Sequence, residues 1–205
     1  KPYLLCEYAH SMGNSFGAVD RYVDLAFREP LFQGGFIWDF ADQAVRLADR
    51  RGVPFFGYGG DAGESPHDGD FSGNGIVFAD RTPKPALQEV AHLYAPLRVT
   101  VGRDAVEVES RLLFTRSSAF DAVATLRREG RPLAEAALAT DIAPGETTRL
   151  ALPVSVPAEP GEYTVDVEFR LREATRWAPA GHVVARGQGV VAIGDPAPAR
   201  TAPRP

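Results

Sequence analysis

Apolar residues recur with one period before Pro96 and with another after it, and that switch limits the fold more than any single residue does. Before it, Phe16, Val19, Tyr22, Val23, Ala26 and Phe27 fall at steps of three and four, which places one apolar stripe on a helix. Asn14 or Ser15 is positioned to cap that helix, and Pro30 to end it. Pro2 to Glu7 reads as a strand on its N-terminal side. Gly35 to Phe40 reads as a second strand, apolar on both faces as a buried parallel strand must be. Arg46 to Pro54 is a polar excursion turning at Asp49-Arg50-Arg51-Gly52, whose charges suit solvent. Gly57 to Arg81 is a long loop rich in Gly and Asp, and loops beyond about 15 residues are usually functional or disordered. Leu87, Val90, Ala91 and Tyr94 give a closing helix, with Pro85 acceptable in its first turn.

After Pro96 the period falls to two. Val106, Val108, Leu112 and Phe114 alternate, as do Leu150, Leu152, Val154 and Val156, and then Tyr163 to Leu171 without a break. Turn residues at Ala143-Pro144-Gly145-Glu146 and Pro160-Gly161-Glu162 separate these runs, so residues 97–194 are expected to form an antiparallel β-sandwich. Residues 195–205, rich in Pro and Ala, read as a linker or tail.

Composition narrows the function. Apolar residues make up 44% of the 205 and charged residues 24%, the proportions of a water-soluble domain. A net charge of −5 offers no electrostatic attraction to nucleic acid or an anionic membrane. No apolar run approaches the roughly 20 residues a membrane span needs. The single cysteine, Cys6, cannot form an internal disulfide, and beside Leu4 and Leu5 it is expected to be a buried, inert thiol. No targeting segment is visible, which gives an expectation of a cytoplasmic protein, although a signal peptide upstream of Lys1 would not be seen.

Chemistry concentrates in Leu4-Leu5-Cys6-Glu7-Tyr8-Ala9-His10-Ser11-Met12-Gly13-Asn14. Desolvating a carboxylate is costly without hydrogen bonds or cations. A Glu where an apolar run stops therefore marks either a strand tip that opens into a polar cleft or a side chain turned to solvent. Two further blocks favour the cleft. One is Gln33-Gly34-Gly35-Phe36-Ile37-Trp38-Asp39-Phe40-Ala41-Asp42-Gln43. The other is Tyr58-Gly59-Gly60-Asp61 followed by Phe71-Ser72-Gly73-Asn74-Gly75-Ile76-Val77-Phe78-Ala79-Asp80-Arg81.

In kind, order and spacing these blocks resemble the retaining β-galactosidases of glycoside hydrolase family 2. Ala174 to Arg186, with Trp177 and Ala180-Gly181-His182, is similar to the sandwich that follows the barrel there. The resemblance implies that residues 1–96 are the last two β/α units of a (β/α)8 TIM barrel, followed by an immunoglobulin-like antiparallel β-sandwich. The chain would then be a piece of a longer parent that cleaves terminal β-galactosides such as lactose. Its partners would be the rest of its own barrel, upstream domains and, in a homo-oligomeric parent, further copies.

The resemblance also assigns roles. A retaining glycosidase sets two carboxyl groups about 5–5.5 Å apart, one as nucleophile and one as acid and base. Glu7 matches the nucleophile; the acid/base and the main magnesium ligands belong to earlier segments. Asp39, Asp42 and Asp61 do not match that acid, and Asp39 and Asp42 read as groups that orient neighbours. His10 matches a histidine that contacts sugar hydroxyls, the alternative being a ring satisfied by local backbone. Trp38 matches the apolar platform under galactose, the alternative being core packing. Phe71 and Asn74 match a sodium pair, through the Phe71 carbonyl and the Asn74 side-chain oxygen, with the sugar's primary hydroxyl completing the shell; Asn74 is thereby also placed at the substrate. His67-Asp68 departs from the family's usual Asn-Asp, which weakens the case for a divalent ion nearby. Two other readings compete. One is a non-catalytic sugar-binding or interaction module built on the sandwich, which shows no exposed aromatic cluster in its sequence. The other is a β-glucuronidase-like relative, which would need a cation for the sugar carboxylate.

Overall fold

The computed structural model describes residues 1–194, which divide into two compact units, Lys1–Tyr94 and the part from Ala95 onward. The expected 195–205 tail lies outside the described residues.

In the first unit, strand β1 (Tyr3–Tyr8), helix α1 (Val19–Arg28) and strand β2 (Phe32–Ile37) form a crossover unit. β1 and β2 pair in parallel, with Tyr3 opposite Phe32, Leu5 opposite Gly35 and Tyr8 opposite Ile37. Val19 and Val23 of α1 are buried against Tyr8, and Leu5, Phe16, Ile37 and Leu93 pack around them. Asp20 in the first turn and Arg28 in the last suit the helix dipole.

The helix starts later than its apolar stripe implies. Ala18, at φ 56°, occupies the cap position, and no side chain caps the helix. Neither expected cap serves, because the Ser15 hydroxyl instead donates to the His10 and Met12 carbonyls at 2.5 and 2.6 Å. Phe16 packs on the helix from the preceding loop. The polar excursion is a hairpin of β3 (Val45–Ala48) and β4 (Pro54–Gly57). Asp49 shapes its turn by accepting from the Arg51 and Val53 amides. Helix α2 (Ala86–Leu93) follows Pro85, which stands at the cap position.

Cys6 is exposed, contrary to the buried thiol expected from its neighbours. β1 has a single strand beside it in a two-stranded sheet, so apolar neighbours in sequence do not supply a cover in space. For the same reason Tyr3, Leu4, Phe36 and Phe40 lie open to solvent.

Among the described residues, the second unit holds seven strands in two sheets. β5 (Leu97–Val101), β6 (Ala105–Ser110) and β9 (Thr147–Ala151) form one, in the order β5-β6-β9. β7 (Phe120–Arg128), β8 (Arg131–Ala137), β10 (Gly161–Leu171) and β11 (Val183–Ile193) form the other, in the order β11-β10-β7-β8. All pairings are antiparallel. One apolar cluster joins them: Leu97, Val106 and Val108 from the first sheet meet Leu126, Tyr163, Val165, Val167 and Phe169 from the second. β10 shows why it is a strand, since Tyr163, Val165, Val167 and Phe169 are all at most 1% exposed while the residues between them face outward. The alternating runs overreach elsewhere. β6 stops at Ser110, leaving Phe114 93% exposed, and Leu152 to Val156 continue past β9 without strand pairing.

Candidate active site

The loops that leave β1 and β2 meet the long loop of the first unit through a set of backbone hydrogen bonds. The Trp38 amide donates to the Tyr8 carbonyl at 3.2 Å, and the Ser11 amide returns to the Trp38 carbonyl at 2.7 Å. The Asp39 amide donates to the Asn74 carbonyl at 2.6 Å, and the Ile76 amide to the Asp39 carbonyl at 2.9 Å. All three sequence blocks are thereby tied at one junction. The Trp38–Asp39 peptide at its centre is cis.

Glu7 stands on β1, one residue before the buried Tyr8, and its carboxylate is exposed with no side-chain partner among the described residues. Tyr8 is fixed by a phenol-to-phenol hydrogen bond to Tyr94 at the end of α2. Burial first, and then that bond, push the Tyr8 phenol well above its ordinary pKa, so it stays protonated and anchors the strand beside Glu7 as a neutral group. His10 is half-buried, with its ring centroid 5.4 Å from that of Phe71. Trp38 keeps 38% of its surface exposed at the end of β2. The structure thus brings His10 to Phe71 and Phe71 to Asn74, and joins the Trp38 and Asn74 backbones through Asp39.

Asn74 is only 2% exposed. Its Nδ2 donates to the Phe71 carbonyl at 2.8 Å, while its Oδ1 is buried without a partner. His10 Nε2 and Ser72 Oγ are also buried and unpartnered. An unsatisfied buried polar atom costs about 1–3 kcal/mol, so each of the three has a hydrogen bond left to make. The Asn74 amide oxygen and the Phe71 carbonyl are neutral, hard oxygens of the kind a monovalent cation takes, but the Asn74 Nδ2 faces that carbonyl here, so one ion meets both oxygens only with the amide turned over. Among the described residues no group of three or more His, Cys, Asp or Glu could hold a metal ion. His67 is occupied locally: its Nδ1 accepts from the Gly69 amide.

Asp42 orients its neighbours by hydrogen bonds, in the manner expected of it. Its Oδ1 accepts from the Gly75 amide at 2.8 Å and from Lys84 Nζ at 2.6 Å. Asp39 accepts from the Phe40 amide and from Gln43 Nε2. Gly75 has no room for a side chain, because a Cβ there would overlap the Ala41 and Asp42 backbone. Little in the sequence marks Lys84, Ser72 or Tyr94 for this site. Only the position of Lys84 between Pro83 and Pro85 distinguishes it; Tyr94 reads as one more apolar residue of a helix stripe. A cavity of about 430 Å³ in the same unit is lined by Met12, Asp42, Tyr58, Ser72 and Phe78 among others, and Glu7, His10, Trp38 and Asn74 are not among its lining residues.

Polar and aromatic side chains gathered at the exits of parallel strands are where barrel enzymes place their active sites. Comparison with known sequences gives the family. Residues 1–99 match the glycosyl hydrolases family 2 TIM barrel domain, and residues 106–192 match β-galactosidase domain 4. The chain is 45% identical over 191 residues to a β-galactosidase of Streptococcus thermophilus, covering 93% of this chain and 18% of that protein. It is 42% identical over 196 residues to one of Halalkalibacterium halodurans, covering 95% and 19%. To one of Clostridium acetobutylicum it is 38% identical over 191 residues, covering 93% and 21%. The chain belongs to glycosyl hydrolase family 2, and it spans about a fifth of the length of these relatives. No helix among the described residues is long and apolar enough to cross a membrane.

Proposed function

We propose that these residues form the end of the catalytic barrel and the following sandwich of a retaining β-galactosidase. The observation that carries the reading is the junction of three segments: the exit of β1 with Glu7, the exit of β2 with Trp38, and the loop with Asn74. The relatives' names support galactose over glucuronate as the sugar.

In this reading the Glu7 carboxylate attacks the anomeric carbon of a β-galactoside while an acid elsewhere in the parent protonates the departing oxygen. Water, deprotonated by that same group, then releases galactose from the Glu7 ester with retained configuration. Glu7 suits the nucleophile because its carboxylate is exposed at the strand end. The indole of Trp38 offers an apolar face to the C–H face of the sugar. His10 Nε2 and Asn74 Oδ1, buried and unpartnered, satisfy their hydrogen bonds on sugar hydroxyls or on a cation beside them. Sodium, held by the Phe71 carbonyl and, with its amide turned over, by Asn74 Oδ1, would supply a hard positive charge for a sugar hydroxyl. The main ligands of a magnesium ion belong to the rest of the parent.

We place β1-α1 and β2-α2 as the last two units of an eight-unit barrel, and the seven-stranded sandwich in the immunoglobulin-like class. The other partners are the rest of that barrel, upstream domains and further copies of the parent. The 205 residues alone hold the nucleophile without its partner acid and should not turn over substrate. A non-catalytic module would leave the junction unexplained, although Trp177 and Phe114 are exposed on the sandwich. In the full-length parent, Glu7→Gln should lower kcat about a thousandfold or more while sparing folding. Turnover within tenfold of the unmodified parent would remove Glu7 as nucleophile.

A further inference from the structure

Resting on that reading of Trp38 and Asn74, we infer that Lys84 is a positioning residue for the sugar site, acting through Asp42 to hold the Asn74–Val77 run against the exit of β2.

The run lies alongside residues 39–42 as a short ladder. Asp39 donates to the Asn74 carbonyl, Ile76 to Asp39, Val77 to Phe40, and Asp42 to Val77, at 2.6–3.1 Å. Asp42 closes the ladder, because one of its oxygens takes both the Gly75 amide and the Lys84 ammonium. The Lys84 and Asp42 side chains are 17% and 13% exposed, so the pair is largely desolvated. Lys84 is itself tied to the run: its amide donates to the Ile76 carbonyl at 3.2 Å, and its Nζ lies 5.0 Å from the Phe78 ring centroid. Val77 bridges Ala41 on one side and Pro83 on the other.

A buried carboxylate that loses its counter-ion must gain water or a proton. Either one changes the acceptor that Gly75 depends on. Gly75 packs against the Ala41–Asp42 backbone with no space for even a Cβ, so the run has no small adjustment available and has to lift away. Asn74 is the next residue, and its carbonyl holds the amide that follows Trp38. Loss of Lys84 therefore misplaces the sugar-binding groups first and reaches β1, which carries the nucleophile, only through the Trp38–Tyr8 hydrogen bond.

The test is steady-state hydrolysis of a chromogenic β-galactoside by the full-length parent, with active sites counted by burst titration with a fluorinated galactoside. Lys84→Met should raise KM about tenfold with kcat per active site changed less than about threefold, the pattern of lost binding rather than lost chemistry. Lys84→Arg keeps the cation and should keep KM within about twofold. Lys84→Met with Asp42→Asn removes the stranded charge but leaves an acceptor for Gly75, so KM should rise only about two- to fivefold. If Lys84→Met fails to accumulate, this double variant carries the test. A purely structural Lys84 would reduce the number of active sites and leave KM unchanged; wild-type KM in Lys84→Met, or in the double variant where it stands alone, overturns the proposal. The unmodified parent and Glu7→Gln run alongside. An inactive parent or an active Glu7→Gln overturns the functional reading itself, whereas a Lys84→Met with wild-type KM in an otherwise well-behaved set overturns only the positioning role.

Discussion

The two units bury their apolar residues in opposite ways. The sandwich closes on itself: two sheets face one shared cluster, and Tyr163, Val165, Val167 and Phe169 are sealed. The first unit has its small cluster of Tyr8, Val19 and Val23 on one side of a two-stranded sheet and leaves Tyr3, Leu4, Phe36, Phe40 and Phe56 at least 43% exposed. A sheet edge with bare apolar faces invites further strands. The contrast teaches that one unit is complete in its own packing while the other is made to be continued, and the proposed site lies on the one that is continued.

The largest effect that can break this comparison is on stability. Phe169→Ala should cost the sandwich about 3–5 kcal/mol, because it empties a fully buried site between the sheets. The two tryptophans report on different units, Trp38 on the first and Trp177 on the second. In urea the Trp177 transition of a Trp38→Phe background should move far to lower denaturant. A midpoint unchanged within error would mean the sandwich is not the independent core described.

Next comes the reactivity of Cys6. Its thiol is exposed here, so iodoacetamide should label the 205-residue chain without denaturant. In the parent, where neighbouring strands are proposed to cover β1, labelling should be slower by about two orders of magnitude, as expected when reaction requires local opening. Equal rates would argue that β1 remains an edge. Smaller again, Trp38→Ala in the parent should raise KM about tenfold, or roughly 1.4 kcal/mol of sugar binding, with folding unaffected. An unchanged KM would make the indole a packing residue instead.

The smallest effect belongs to the rim of the sandwich. Arg116 first, then Ser118, hold the Asp141 carboxyl below its usual value of 3.8. A depressed carboxylate contributes stability that is complete above its unfolded pKa and is lost as pH falls through the folded one. Asp141→Asn should therefore leave the urea midpoint almost unmoved in strong acid and lower it slightly above pH 3.8. The opposite ordering would contradict the ion pair seen between Arg116 and Asp141.

What could be read from the chain, and what could not, follows the same division by packing. β10 was legible because large apolar residues occupy every inward position, and α2 because its stripe is regular. β11 was hidden. Ala185, Gly187, Gly189 and Val191 share its inward positions, and side chains on the two glycines would overlap the Val99 and Val101 carbonyl oxygens. An inward face made of glycine leaves no alternation to detect. β7 hides in part for a similar reason, with Ala122 and Ala124 as inward residues. The β3–β4 hairpin was lost among charges because its turn is organised by Asp49, a polar side chain rather than an apolar pattern. The start of α1 was misplaced because Ala18 takes a left-handed conformation that its residue type does not announce.

At the proposed site, Glu7, His10, Trp38, Phe71 and Asn74 were all named from the chain. Their convergence was not, since it depends on amides and carbonyls that every residue possesses. Lys84 was invisible for the complementary reason: a lysine in a loop ordinarily reads as solvated, and only the burial of Asp42 beside it shows otherwise.

One experiment reaches the centre of this account. The intact parent, inactivated with a 2-fluoro-galactoside that stalls the covalent ester, would be digested and the modified peptide sequenced by mass spectrometry. The adduct is predicted on the glutamate between Cys6 and Tyr8. An adduct on any other carboxylate, Asp39 or Asp42 included, would contradict it.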